Sequence, residues 1–173
     1  MTSEILILVD KDDAAVGQEE KTKSHLGDGI LHRAFAAFVI NDKGQLLIQK
    51  RSKHKLLWPL VWENSCSSHP TVGQNYIEAG QDRLKHELGF TCCLKKIGKF
   101  QYQAKFKDVG SENEICAILL GKYSGQVKPN PDEVADWRWV AISELERDIV
   151  ANPQDYTPWL KTGLAFIGFN ASN

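Results

Sequence analysis

The chain has 173 residues, enough to close one hydrophobic core and short for two. Apolar residues make up 42% and charged residues 25%, an ordinary balance for a globular domain. With 21 basic against 22 acidic residues the net charge is -1, so no global field favours nucleic acid or an anionic membrane as partner. No apolar run approaches the roughly 20 residues of a membrane span.

From the N-terminus, Ile5 to Val9 is a β-rich run that ends in an Asp-Lys-Asp-Asp turn. It has no cationic flank and reads as a strand rather than a secretion signal. Ala34 to Ile40 is a buried strand, and Asn41-Asp42-Lys43-Gly44 carries the chemistry of a turn into a second strand, Gln45 to Arg51. Val61 to Ser67 reads as one further strand. Gln74 to Leu88 is a helix, with Ile77, Leu84 and Leu88 on one face and Gly89 at its C-terminal cap. Glu114 to Tyr123 and Ala135 to Val140 are strands. Ser143-Glu144-Leu145-Glu146 has the form of a capping box opening a short helix, and Thr157 to Phe169 forms the last helix. No linker divides the sequence, so residues 1–173 are expected to form one α/β domain with a mixed sheet. The four cysteines, Cys66, Cys92, Cys93 and Cys116, contain no CxxC pair, which points to reduced thiols and a cytoplasmic protein.

Three groups of residues carry chemistry. Glu112 and Glu114 lie two apart where a strand begins, so alternation turns both carboxylates to one face, where they repel unless a cation lies between them. His25 and His32 flank a glycine-rich loop, HLGDGILH, and His69 follows another strand. Three imidazoles and two carboxylates can enclose one divalent ion, and mixed N/O ligation suits Zn, Mn or Fe better than Mg. The alternative is that these are solvated loop and strand residues. On the helix, Arg83 and Glu87 are neighbours at i,i+4: either a surface ion pair, or Glu87 holds Mg²⁺ while Arg83 takes a phosphate bridged by that ion. Lys21, Arg51 and Lys55 join Arg83 as cations that matter only if the fold gathers them around a diphosphate.

The run EAGQDRLKHELGF, residues 78–90, resembles a degenerate Nudix helix. Around it stand HLGDGILHRAF, a KR…K…W-P-x-V-W-x-N-S series ending at Ser65, SHP, Y…ENEIC and TPW. Their order and spacing, from about residue 4 to about residue 165, resemble the type 1 isopentenyl-diphosphate isomerases. The resemblance implies a Nudix-like α/β/α sandwich that interconverts isopentenyl and dimethylallyl diphosphates. It implies one divalent ion, Mn²⁺ or Zn²⁺, held by His25, His32, His69, Glu112 and Glu114. It also implies Mg²⁺ held by Glu87 and the backbone carbonyl of Ser67. Lys21, Arg51, Lys55 and Arg83 match the cations around a prenyl diphosphate. Glu114 matches an acid/base carboxylate, Tyr102 the tyrosine beside it, and Trp159 an indole against the hydrocarbon. The partner implied is a small molecule, with neither nucleic acid nor membrane, and the protein is expected to be a monomer or weak homodimer.

One position departs from the pattern. The family carries a second proton-transfer group, a cysteine, two residues before the histidine of Cys-x-His-Pro; in NSCSSHP that position is Ser67. Either Ser67 occupies it or a bulge moves Cys66 there. The spacing from Trp62 and Asn64 to His69 needs no gap, and on a regular strand Cys66 points away from Ser67 and His69. A serine hydroxyl is a far weaker acid than a thiol of pKa about 8.5, so slow turnover is expected. Two other readings stand: a Nudix diphosphate hydrolase, which the lone Glu87 in place of a glutamate cluster disfavours, and a catalytically silent prenyl diphosphate binder.

Overall fold

The computed structural model describes residues 4–170, with side chains through residue 168. A hairpin of β1 (Ile5–Val9) and β2 (Ala15–Glu20) leads into one helical turn, α1 (Lys21–Ser24). Then come β3 (His32–Ile40), β4 (Gln45–Arg51), β5 (Trp62–Glu63), β6 (Cys66–Ser68) and α2 (Tyr76–Leu88). β7 (Leu94–Phe106) and β8 (Gly110–Lys122) form a long hairpin, and β9 (Val134–Ala141) runs directly into α3 (Ile142–Ala151). A 3-10 turn at Pro153–Asp155 precedes α4 (Pro158–Asn170). Among the described residues no helix is long and apolar enough to cross a membrane.

The strands form one mixed sheet, in which β3 and β8 run parallel and the other pairings are antiparallel. The near-continuous apolar run of β3 is explained by burial on both faces. Ala36 and Phe38 pack with Leu46, Ile48 and Ile118 against Leu145 of α3 and Trp159, Leu160 and Leu164 of α4. Phe35, Ala37 and Val39 pack with Leu47 and Leu119 against Ala79, Leu84 and Leu88 of α2. Helices therefore cover both faces, giving the α/β/α sandwich that the resemblance implies.

Two local expectations are corrected. The segment 61–67 is not one strand: β5 pairs with β4, β6 pairs with β3, and Asn64-Ser65 crosses between them. Side chains explain the break. Ser65 Oγ accepts from Val39 N–H and donates to Leu47 C=O, both at 2.8 Å. Asn64 Nδ2 donates to the carbonyls of Ala37 and Cys66. These two residues stand in for the ladder between β3 and β4, which pair only at Ile40 and Leu46 although the Asn41–Gly44 turn forms. The Ser143 capping box is likewise absent. α3 starts at Ile142 behind Ala141, with no side-chain cap, because the end of β9 fixes its first turn and leaves Ser143 inside the helix. The box occurs instead on α2, where Asn75 accepts from Glu78 N–H and Glu78 accepts from Asn75 N–H. That helix ends at Gly89 with φ +74°, where a Cβ would meet the Lys128 carbonyl at 2.8 Å.

Candidate active site

The sheet brings three strand ends to one place. β3 and β8 start at the same edge, with His32 beside Glu114, and β6 ends there, with Ser68 beside Phe35. His69 follows β6 and so joins His32. His25 arrives from the loop after α1, which is tied down where Ser111 N–H donates to His25 C=O and Asn113 Nδ2 to Gly29 C=O. Gly29 has φ +76° and its missing Cβ would lie 3.0 Å from the Ser111 carbonyl, so the glycine-rich loop docks closely on β8.

His25, His32, His69, Glu112 and Glu114 present ligand atoms that all lie within 4.8 Å of one another. Their protonation makes the cluster unusual. His25 Nδ1 is 2.6 Å from the Lys21 carbonyl and His32 Nδ1 2.7 Å from that of Ile30, so each ring spends its N–H on a backbone oxygen. The His25 Nε2 lone pair then faces a carboxylate, while His69, whose Nδ1 has no hydrogen-bond partner among the described residues, can carry its proton on Nε2 and serve His32 Nε2 or Glu114 Oε1 but not both. His25 Nε2 lies 2.8 Å from Glu112 Oε2, His32 Nε2 3.2 Å from His69 Nε2, and His69 Nε2 3.1 Å from Glu114 Oε1. Acceptors facing acceptors in a buried site require added protons or a cation, and three N donors with two carboxylates fit a divalent transition ion. Burial alone would lower the His25 pKa, but Glu112 raises it; the same neighbourhood holds Glu114 low, because the imidazoles of His32 and His69 beside it outweigh its burial.

Glu114 uses its other oxygen to accept the Tyr102 hydroxyl at 2.6 Å, across the β7–β8 pair. Burial and Glu114 push Tyr102 well up, so the phenol stays protonated. Both line a cavity of about 430 Å³ with His25, His69, Glu112, Ser67 and Trp159. Trp159 is 3% exposed and packs edge-on against Trp58, with ring centroids 5.3 Å apart.

Lys21, Arg51, Lys55 and Arg83 line the same cavity. Each already has a carboxylate partner. Lys21 pairs with Glu4, and Arg51 with Glu63. Lys55 pairs with Glu133 and lies 3.6 Å from Glu87, while Arg83 pairs with both Glu87 and Glu133. Arg51 is further occupied by the carbonyls of Leu57 and Trp58. Glu87 is buried; its oxygens accept from Arg83 Nε and Gln49 Nε2, both at 2.6 Å. Arg83 and Glu87 therefore form a partly buried pair at the cavity wall rather than a surface ion pair.

The structure separates the two residues in NSCSSHP. Cys66 is fully buried with Phe35, Leu47 and α2 on the far face, where burial pushes its thiol well up. Ser67 faces the cavity, and its hydroxyl donates to Asn64 Oδ1 at 3.0 Å. No bulge carries Cys66 into the cavity.

Sequence reasoning did not single out Glu4, Gln49, Glu63, Asn64, Cys116 or Glu133. Glu63 had a readable signal, a carboxylate inside an apolar strand run. Cys116 lies two beyond Glu114 on the same strand face and lines the cavity. Gln49 and Glu133 meet the site only through tertiary contacts.

The NUDIX domain family model matches residues 30–160. The chain is 38% identical over 167 residues to an isopentenyl-diphosphate Delta-isomerase of Serratia proteamaculans, covering 96% of this chain and 93% of that protein. It is 41% identical to isopentenyl-diphosphate Delta-isomerase 2 of Photorhabdus laumondii, over 91% of this chain and 89% of that one. In fold it is similar to a crystal structure of a Deinococcus radiodurans protein (TM-score 0.77, 22% identity, covering 94% and 98% of the two chains). A second likeness is to a MutT NUDIX hydrolase of Burkholderia pseudomallei (TM-score 0.63, 18% identity, 79% and 98%). The chain thus belongs to the Nudix superfamily and, within it, to the type 1 isopentenyl-diphosphate Delta-isomerase family.

Proposed function

We propose that this protein interconverts isopentenyl diphosphate and dimethylallyl diphosphate by adding a proton at one carbon and removing one from another. The observation that carries the reading is the Glu114–Tyr102 hydrogen-bonded pair in a cavity that also holds a buried indole and four cationic side chains. Double-bond migration by protonation passes through a tertiary carbocation, which water would trap. Trp159, Trp58 and Leu57 line or pack around the cavity and exclude water, and the π face of Trp159 favours a cation. Lys21, Lys55 and Arg83 are the more exposed cations and suit the diphosphate, whose binding orients the hydrocarbon toward Glu114.

Glu114 moves the proton on one face, with the Tyr102 hydroxyl holding its second oxygen. Ser67 serves the other face. Because its proton points to an amide oxygen, which is no base, Ser67 does not ionise but passes a proton on, its oxygen taking one from solvent as the hydroxyl gives its own to the substrate carbon. Slow turnover follows from that arrangement. His25, His32, His69, Glu112 and Glu114 would hold Mn²⁺ or Zn²⁺, and Glu87 with the Ser67 carbonyl would hold Mg²⁺. When bound, the first ion supplies the positive charge its five donors need and the second offsets diphosphate charge. Free thiols at all four cysteines suit a cytoplasmic enzyme.

The test is incubation with isopentenyl diphosphate, Mg²⁺ and Mn²⁺, followed by proton and phosphorus NMR. Dimethylallyl diphosphate is the expected product. Phosphate release without double-bond movement would make the protein a hydrolase, and binding with neither would make it a silent binder.

A further inference from the structure

Glu63 is 1% exposed and belongs to neither the metal cluster nor the cavity lining, yet it touches both ends of the site. Its two oxygens each accept from Arg51 Nη1 at 3.1 Å. One also accepts the Trp159 indole N–H at 3.1 Å, and the other accepts from Gln49 Nε2 at 3.3 Å. Arg51 in turn lies over the Trp159 ring, with its guanidinium carbon 5.2 Å from the centroid. Arg51 also donates to the Leu57 and Trp58 carbonyls, at a turn where Trp58 takes φ +47°. One carboxylate therefore fixes a cation, an indole and the strained turn that packs a second indole on the first.

The charge arrangement has a chemical consequence. A guanidinium beside an indole withdraws electron density from the ring that a carbocation would use. A carboxylate paired to that guanidinium and hydrogen-bonded to the indole N–H reverses the effect. Little of this is felt by a neutral hydrocarbon, and most of it by a cation.

We infer that Glu63 is a positioning residue for the isomerisation: it holds Arg51 and Trp159 as one unit and neutralises Arg51, so that the indole stabilises the carbocation. The inference rests on the isomerase reading above. It acts on the transition state more than on substrate binding, and so it separates kcat from KM.

The experiment compares wild type with Glu63→Gln, which removes the charge, and Glu63→Asp, which keeps the charge but draws it back from Arg51 and the indole. Steady-state isomerisation is measured beside the ¹H–¹⁵N signal of the Trp159 indole, assigned with Trp159→Phe. In folded variants kcat is expected to fall about tenfold or more while KM changes less than about threefold, with the indole signal displaced. Where Glu63→Gln does not fold because Arg51 is left unpaired, Glu63→Asp carries the same expectation. A displaced indole signal with unchanged kcat, or a rise in KM alone, overturns the inference while leaving the isomerase reading intact. A wild type that does not isomerise overturns both.

Discussion

Removing or supplying the metal gives the sharpest thermodynamic expectation. In the His/Glu cluster, His25 and His32 have committed their Nδ1 protons to carbonyls at 2.6 and 2.7 Å. That leaves the His25 Nε2 lone pair 2.8 Å from Glu112, and one His69 Nε2 proton to share between His32 Nε2 at 3.2 Å and Glu114 Oε1 at 3.1 Å, with His32 a further 3.5 Å from Glu114. A divalent cation among these atoms relieves the repulsion. A ligand that binds only the folded state, at about a hundredfold above its Kd, stabilises it by about 2.7 kcal/mol. For a chain of this size each kcal/mol moves Tm by about 2–4 °C, so Mn²⁺ or Zn²⁺ should raise Tm by about 5–11 °C over a chelator-treated control. Scanning calorimetry measures the shift directly. His69→Gln and Glu112→Gln should each remove most of it. No shift in the native protein, or an equal shift in the His69→Gln/Glu112→Gln double variant, would refute the reasoning.

Three other expectations follow from single contacts. Ser65→Ala leaves the Val39 N–H and Leu47 C=O without their shared partner and should cost about 2–4 kcal/mol in urea unfolding; a loss below about 0.5 kcal/mol would show that the wedge between β3 and β4 contributes little. Cys66→Ala should cost about 1 kcal/mol of stability and leave kcat within about twofold, whereas lost turnover would return Cys66 to the chemistry. Burial pushes Glu133 up, but Lys55 and Arg83 outweigh it and bring its pKa from 4.5 down to about 2. Its stabilisation is thus complete above pH 4.5 and lost as pH falls toward about 2. Glu133→Gln should flatten that part of the acid-unfolding curve, by less than about 3 kcal/mol after solvent screening; an unchanged curve would contradict the pairing.

Much of this fold is legible where patterns are local. The apolar run of β3, the Asn41–Gly44 turn and the Gly89 cap each announce themselves within a few residues. β7 is masked by its many lysines and glutamines, although Phe100, Tyr102, Ala104 and Phe106 alternate with polar residues along it. The break between β5 and β6 is different in kind. Val61 to Ser67 has a strand's composition, and only the tertiary placement of Val39 and Leu47 shows that Ser65 bonds across to them.

The site divides the same way. Spacing brings Glu112 and Glu114 to one face, but the convergence of three histidines depends on the parallel register of β3 and β8 and on a loop docked by Ser111 and Asn113. The cations were readable as residue types. Their partners Glu4, Glu63, Glu87 and Glu133 come from separate elements, so the charge balance of the cavity was not.

In the proposed isomerase site Ser67 stands in place of a stronger acid. The most direct measurement is the rate of deuterium entry into isopentenyl and dimethylallyl diphosphates in deuterated buffer, for the native protein, Ser67→Cys and Glu114→Gln. The proposed chemistry implies slow exchange in the native protein, exchange faster by about tenfold or more in Ser67→Cys, and none in Glu114→Gln. Absence of exchange in both the native protein and Ser67→Cys, while both bind the diphosphate, would contradict it.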